Sequence, residues 1–147
     1  MTIKELAPPE RVVLDASFVL RYVLHTQAPR PHASGLTLLK NAELLVPALW
    51  NAEVANALVQ AERRGAATAA KVGAALSLIN ALNPVVDAHV VDVTRNLEIA
   101  RAYRLSAYDA IYFELALRRK AALATYDDDM MAAAPSAGIR LYPQPSI

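Results

Sequence analysis

Short apolar runs alternate with longer segments of helical periodicity along this chain, and this alternation constrains the fold more than any other feature of the sequence. The apolar runs are typical of buried strands, and they cover residues 11–14, 44–47, 89–91, 121–125 and 139–142. Because strands that alternate with helices form parallel sheets, we predict a single α/β domain. Its parallel, twisted sheet would have about five strands, with helices on both faces.

Helix start and stop signals place the segments between these strands. Ser17, Thr94 and Ser106 are predicted N-caps, and Gly65 and the pair Asn83-Pro84 are predicted helix ends. The predicted helices cover residues 18–24, 33–41, 49–64, 67–82, 95–103, 107–120 and 128–134, and residues 25–32 form a predicted loop.

The composition supports a compact core and excludes several kinds of site. Of the 147 residues, 55% are hydrophobic, and no apolar run approaches the roughly 18 residues that span a bilayer. The absence of cysteine excludes disulfides, thiolate catalysis and cysteine-based zinc sites, and the three histidines show no metal-ligand spacing. Residues 1–10 carry both charge signs, which predicts a loose extension and not a signal peptide, with the folded domain at 11–147. We therefore expect a cytoplasmic protein without a membrane span.

Four acidic residues each stand where an apolar run gives way to a helix. They are Asp15, Glu53, Asp109 and Asp127. In a parallel α/β sheet the strand ends and the following helix starts share one edge, so we expect these carboxylates to meet there. An oxygen-only cluster suits Mg²⁺ or Mn²⁺, and such metal sites commonly cut or transfer phosphodiesters.

Each of these acids also has a purely structural interpretation. The helix dipole favours an acid in the first turn, Ser106 and Asp109 nearly form a capping box, and Asp127 could be an N-cap. The set favours a metal site, because acids among apolar residues are costly without a compensating charge and several together repel one another. Asp129 stays open as a further ligand or as the alternative to Asp127.

Four short motifs combine these acids with apolar and small residues. They are Val13-Leu14-Asp15-Ala16-Ser17, Pro47 followed by Glu53-Val54-Ala55-Asn56-Ala57-Leu58, Tyr108-Asp109-Ala110-Ile111-Tyr112, and Leu123-Ala124-Thr125-Tyr126-Asp127. In this order and at these spacings the chain resembles the PIN-domain family, and most of all the VapC-type toxins of bacterial toxin–antitoxin pairs. The resemblance covers roughly residues 12–142. Any one motif is weak evidence, and the four together are specific.

The resemblance implies a Mg²⁺- or Mn²⁺-dependent endoribonuclease that leaves 5′-phosphate and 3′-hydroxyl ends. By position, the catalytic and metal-binding quartet would be Asp15, Glu53, Asp109 and Asp127, supported by the hydroxyl residues Ser17 and Thr125. The run from Asp127 to Asp129 leaves open which aspartate is the fourth ligand. RNA would approach along basic side chains, for which the candidates are Arg21, Arg63, Arg64, Arg101, Arg104, Arg118, Arg119 and Lys120. A solvated helix face is the simpler interpretation of any single one of them.

Partners follow partly from the resemblance and partly from a surplus of apolar helix surface. The apolar side chains around Leu20, Leu36, residues 54–58 and residues 76–82 are many for one small sheet to cover. We therefore predict a homodimer and a small antitoxin protein that occupies an exposed groove. The bland alternative is that these residues close the core of a monomer.

Three other functional classes have requirements that can be checked against the sequence. A receiver domain needs a pair of acids after the first strand and a late lysine, whereas Asp15 stands alone and no lysine follows Lys120. A phosphatase of the HAD type needs a second aspartate where this chain has Ser17. A non-catalytic PIN-like domain that only binds RNA or protein stays open, although acids at all four positions count against it.

Overall fold

The computed structural model describes residues 9–24 and 39–142. Strands and helices alternate through this part of the chain, which confirms the predicted α/β class. The elements are β1 (Arg11–Leu14), α1 (Ala16–Leu24), β2 (Glu43–Pro47), α2 (Leu49–Arg63), α3 (Ala69–Leu82), β3 (Val85–Asp87), α4 (Val93–Tyr103), α5 (Ala107–Arg119), β4 (Ala122–Ala124) and α6 (Asp128–Ala133), followed by a 3-10 turn at Pro135–Ala137.

The strands form one parallel sheet in the order β3-β2-β1-β4. Val12 of β1 is paired with Leu44 of β2 on one side and with Ala122 of β4 on the other. Val12, Val13 and Leu14 are all 0% exposed, as expected for a central strand that is covered on both faces. The chain moves from β1 to β2 on one side and reaches β4 on the other. The carboxyl ends of β1 and β4 therefore form a topological switch point, where α/β sheets usually bind their ligands.

The helices form two packed groups. Helices α1, α2 and α3 contact one another, whereas α5 packs against α4 and against β1, β2 and β4. Because parallel crossovers are right-handed, the reversal of strand order at β1 puts these two groups on opposite faces of the sheet.

The third strand lies earlier than predicted. It is Val85–Asp87 and not residues 89–91. Asn83 ends α3 in the left-handed conformation, with φ of 46°, and Pro84 then leads directly into the strand. Val90 is 85% exposed, so it is not a core strand residue. The β-branched side chains at both places fit a strand equally well in the sequence, and pairing with β2 selects the earlier one.

Besides the end of α3 at Asn83, two of the predicted helix signals are confirmed and two are wrong. Ser106 accepts a hydrogen bond from the backbone N–H of Asp109 at 3.1 Å, and Gly65 has a φ of 71° just after α2. Helix α4, however, is capped by Asp92 and not by Thr94, because the Asp92 carboxylate reaches the N–H at the third helical position. Helix α1 begins at Ala16, one residue before Ser17, whose hydroxyl has a different partner described below.

One predicted strand is shorter than expected, and other predicted elements lie outside the described residues. The last predicted strand, residues 139–142, is a single parallel bridge between Leu141 and Leu123. The predicted loop 25–32, residues 33–38 of the predicted helix 33–41, with Leu36, and residues 1–8 of the extension lie outside the described residues. Over the described ranges, no helix is both long and apolar enough to cross a membrane.

Candidate active site

Asp15 lies at the switch point of the sheet, between β1 and α1, and is 5% exposed. Its backbone N–H donates to the carbonyl of Ala124 at the end of β4, at 2.9 Å. Its carboxylate oxygen Oδ2 accepts hydrogen bonds from the hydroxyls of Ser17, at 2.5 Å, and Thr125, at 2.8 Å. The two hydroxyl residues that the sequence associates with the site therefore hold this carboxylate from two different elements.

The loop after β4 fixes the direction of both hydroxyls. The backbone N–H of Tyr126 donates to Ser17 Oγ at 3.1 Å, and that of Asp127 donates to Thr125 Oγ1 at 2.9 Å. Because each hydroxyl oxygen accepts from the backbone, its own hydrogen is available for Asp15. The resulting cluster joins α1 to the loop between β4 and α6.

Glu53 enters the site from α2, where it is held by a residue that the sequence did not single out. The hydroxyl of Tyr112 donates to Glu53 Oε1 at 2.5 Å. Tyr112 is 1% exposed, and its burial, with the adjacent Glu53 carboxylate, raises the pKa of the phenol, so it stays protonated and remains a donor at neutral pH. Its spacing in the sequence could have indicated a place at the site, because Tyr112 follows Asp109 by three residues and so shares its face of α5.

Asp109 lies in the first turn of α5 and interacts with the other acids. Its pKa is raised from 3.8 to about 6, chiefly by burial and then by the charges of Asp127, Asp15 and Asp129, while a hydrogen bond with Ser106 opposes these effects. Asp15 also has a raised pKa, chiefly because it is buried, and the charges of Glu53 and Asp127 add to the shift against the two hydroxyl bonds. The predicted acids thus come from four separate elements to one edge of the sheet and repel one another there.

Asp127 has a structural role in addition to its place among the acids. It is the N-cap of α6, and its Oδ1 accepts from the N–H of Met130 at 2.9 Å. Asp127 raises the pKa of Asp109 more than Asp129 does, and Asp127 also acts on Asp15. Asp129 is exposed on α6. Of the two aspartates, Asp127 is the one more strongly coupled to the other acids.

The acidic side chains have the right chemistry for a hard divalent cation. Their carboxylate oxygens are the ligands that Mg²⁺ and Mn²⁺ prefer. Burial is the main cause of the raised pKa values of Asp15 and Asp109, and the charges of neighbouring acids add to it; a bound cation would offset both effects. In the described ranges, no three acidic or histidine side chains lie close enough together to form a ready-made ligand set. The chemistry of these residues fits a cation, whereas their close approach around an occupied site stays a prediction.

Arg118 and Arg119, two of the predicted RNA contacts, form ion pairs. Arg118 binds Asp87 through two nitrogens, at 2.7 and 3.2 Å, and Glu114 at 2.8 Å, and Arg119 lies 3.4 Å from Asp87. The hydrogen bond from Arg118 lowers the pKa of Asp87. These pairs attach the edge strand β3 to the end of α5, which favours the structural interpretation of both arginines.

Arg21, another candidate for RNA contact, lies over an aromatic ring. Its guanidinium carbon is 4.1 Å from the centre of the Tyr126 ring. Tyr126 in turn stacks on the buried ring of Phe18, with a centroid distance of 4.9 Å and an interplanar angle of 7°. Arg21 and Phe18 of α1 thus form one stack with Tyr126 of the loop between β4 and α6.

Comparison with known proteins identifies the family. Residues 12–135 match the PIN domain family. The chain therefore belongs to the PIN-domain family. Ribonuclease VapC3 of Mycobacterium tuberculosis, in two strains, is 35% identical over 131 residues, which cover 89% of this chain and 93% of the relative. This confirms the resemblance to PIN domains of the VapC type.

A solved structure shows the same fold. The crystal structure of PAE2754 from Pyrobaculum aerophilum aligns with a TM-score of 0.64 and 22% identity, over 89% of this chain and 83% of that one. At this identity the likeness concerns the fold alone, and it agrees with the single parallel sheet described above.

Proposed function

We propose that this chain is a Mg²⁺- or Mn²⁺-dependent endoribonuclease that acts as the toxin of a toxin–antitoxin pair. The observation that carries the proposal is the buried Asp15 carboxylate at the switch point. The charges of Glu53 and Asp127 raise the pKa of Asp15, and those of Asp127, Asp15 and Asp129 raise the pKa of Asp109. The VapC3 relative is named as a ribonuclease, which supports the same reaction class for this chain.

Some side chains would bind the cation, and others would hold those ligands in position. Asp15, Glu53, Asp109 and Asp127 would supply the carboxylates. When bound, the cation would polarise the scissile phosphate and lower the pKa of an attacking water. Ser17 and Thr125 keep one oxygen of Asp15 in two hydrogen bonds, which orients its other oxygen for binding. In-line hydrolysis would leave a 5′ phosphate and a 3′ hydroxyl.

The negative charge of the acids would also repel the phosphates of RNA, so a basic surface is needed to admit the substrate. A polyanion gains nothing from an acidic cluster alone, so flanking cations have to attract its phosphates. Arg21, on the helix that follows Asp15, is the first candidate, and the exposed arginines Arg63 and Arg104 are further candidates. Arg118 and Arg119 contribute less to this attraction, because Asp87 and Glu114 offset their charges.

A small antitoxin and a second copy of the chain are the proposed partners. Leu76 and Leu78 on α3 are 47% and 56% exposed, which supports an apolar contact surface there. Val54 and Leu58, which the sequence offered for the same purpose, are buried in the core instead. A cationic side chain of the antitoxin could block the acidic site by forming charge-assisted hydrogen bonds.

The reaction is tested with the purified chain and a structured RNA. We expect cleavage with Mg²⁺ or Mn²⁺, none in excess EDTA, and 5′-phosphate ends on the products. If RNA binds equally well in EDTA and is never cut, the alternative of a non-catalytic PIN-like binding domain is correct. Mapping of 5′ ends after brief expression in the cytoplasm of a bacterial host would then identify the RNA target.

The toxin assignment is tested separately by co-expression with the small protein encoded by the neighbouring upstream reading frame. We expect that protein to co-purify with this chain and to relieve growth inhibition. If it does neither while the purified chain still cuts RNA, the chain is a solitary PIN nuclease and only the toxin assignment fails.

A further inference from the structure

We propose that Tyr112 is a positioning residue that holds the Glu53 carboxylate next to Asp15. This inference rests on the proposed function, because it assigns Tyr112 a role in preparing Glu53 to bind a divalent cation. Tyr112 would not touch the cation or the RNA. It would act through one oxygen of Glu53.

The first support is the geometry of the contact between the two side chains. The Tyr112 hydroxyl donates to Glu53 Oε1 at 2.5 Å, across 59 residues of sequence and between α5 and α2. Tyr112 is 1% exposed, on a helix that packs directly on β1 and β2. The donor is therefore fixed by the core, whereas Glu53 is a half-buried side chain on α2.

The second support is the packing of α5 against the strand that ends at Asp15. Helix α5 contacts β1, and Asp15 and Tyr112 are both buried, at 5% and 1% exposure. The charge of Asp15 acts on the Tyr112 phenol in the same direction as that of Glu53, and both raise its pKa. Tyr112 thus lies near both acids.

The chemistry of the donor explains why a tyrosine suits this place. Glu53 and Asp15 are both acidic and repel each other, and a glutamate has enough rotamer freedom to swing away toward solvent. A lysine or arginine in place of Tyr112 would hold Glu53 but would also offset its charge. A neutral phenol anchors one oxygen and leaves the negative charge of the carboxylate to attract a cation.

The test is the Mn²⁺ affinity of purified variants, measured by calorimetry without RNA. Tyr112→Phe removes one oxygen and leaves the ring, and we expect it to weaken Mn²⁺ binding about 10-fold, as is typical for groups that orient metal ligands. The matched control is Tyr103→Phe, which removes the same atom from a ring that packs on Phe113. That control should bind Mn²⁺ like the wild type.

A double-mutant cycle separates positioning of Glu53 from a general structural effect. If Tyr112 acts through Glu53, Tyr112→Phe should change the Mn²⁺ affinity of a Glu53→Gln protein by less than about two-fold. The same loss in both backgrounds, or wild-type affinity in Tyr112→Phe, would overturn the inference while leaving the cation site in place. A wild-type protein that binds no Mn²⁺ would overturn the proposed function, and this inference with it.

Discussion

Replacing Thr125 with valine removes one oxygen from the centre of the cluster around Asp15 and keeps the volume of the side chain almost unchanged. Thr125 is 5% exposed, so water cannot easily take the place of the hydroxyl. The change breaks the hydrogen bond to Asp15 Oδ2, at 2.8 Å, and leaves the N–H of Asp127, now 2.9 Å from the hydroxyl oxygen, without its acceptor.

The two lost bonds set the size of the expected effect. A hydrogen bond to a charged group contributes about 1.5–3 kcal/mol, and a neutral one about 0.5–1.5 kcal/mol. Thr125→Val should therefore lower the free energy of unfolding by about 2–4 kcal/mol at pH 7. For a chain of this size the Tm should fall by roughly 5–15 °C.

The assay is urea unfolding monitored by circular dichroism, with Thr94→Val as the control. Thr94 is exposed on α4, so the same chemical change there should cost less than about 0.5 kcal/mol. Because the Thr125 bond favours ionised Asp15, its loss raises the pKa of Asp15 further. The deficit should therefore shrink as the pH falls and Asp15 becomes protonated. A Thr125→Val protein as stable as the Thr94→Val protein at pH 7 would refute this view of the cluster.

Three further predictions concern the site, the edge strand and the assembly. The pKa of Asp109 is raised from 3.8 to about 6, so the folded state binds a proton more tightly than the unfolded state. Asp109→Asn should therefore raise the free energy of unfolding of the metal-free protein at pH 7. This gain should fade as the pH drops from about 6 to about 4, because Asp109 is then protonated in both states. Urea titrations across that pH range check it, and a gain that grows toward low pH would contradict the assignment. Arg118→Met should cost about 2 kcal/mol, because it leaves the Asp87 and Glu114 carboxylates, 7% and 6% exposed, without their main partner, whereas Arg95→Met at an exposed pair should cost under about 0.5 kcal/mol. Equal stability of these two proteins would show that the ion pairs do not hold β3. Light scattering at micromolar concentration should give a dimer of about twice the 15.9 kDa chain mass, and a clean monomer would remove the homodimer.

Features that depend on neighbours in sequence were predictable. The apolar run before Asp15, the cap at Ser106 and the stop at Gly65 are local signals, and the structure has β1, α5 and the end of α2 where those signals put them. The prediction that the acids share one edge followed from a general rule, because parallel strands share one carboxyl edge.

Features that depend on distant partners were not predictable in the same way. Ser17 has the local pattern of an N-cap, but its hydroxyl contacts Asp15 and lies 3.4 Å from Thr125, 108 residues away. Tyr112 looks like a core aromatic in the sequence, and its bond to Glu53 depends on how α5 and α2 pack across the site. The choice of β3 likewise depends on pairing with β2, which no local signal contains.

The most direct measurement is the rate of RNA cleavage by the Asp15→Asn protein in the presence of Mn²⁺. The wild type should cut RNA, and Asp15→Asn should be folded yet slower by more than about 100-fold, since even groups that merely support metal ligands contribute about 10–100-fold. Asp128→Asn, an exposed neighbour of Asp127, is the matched control and should keep the wild-type rate. Cleavage at the wild-type rate by a folded Asp15→Asn protein would contradict the assignment of this acidic cluster as the active site.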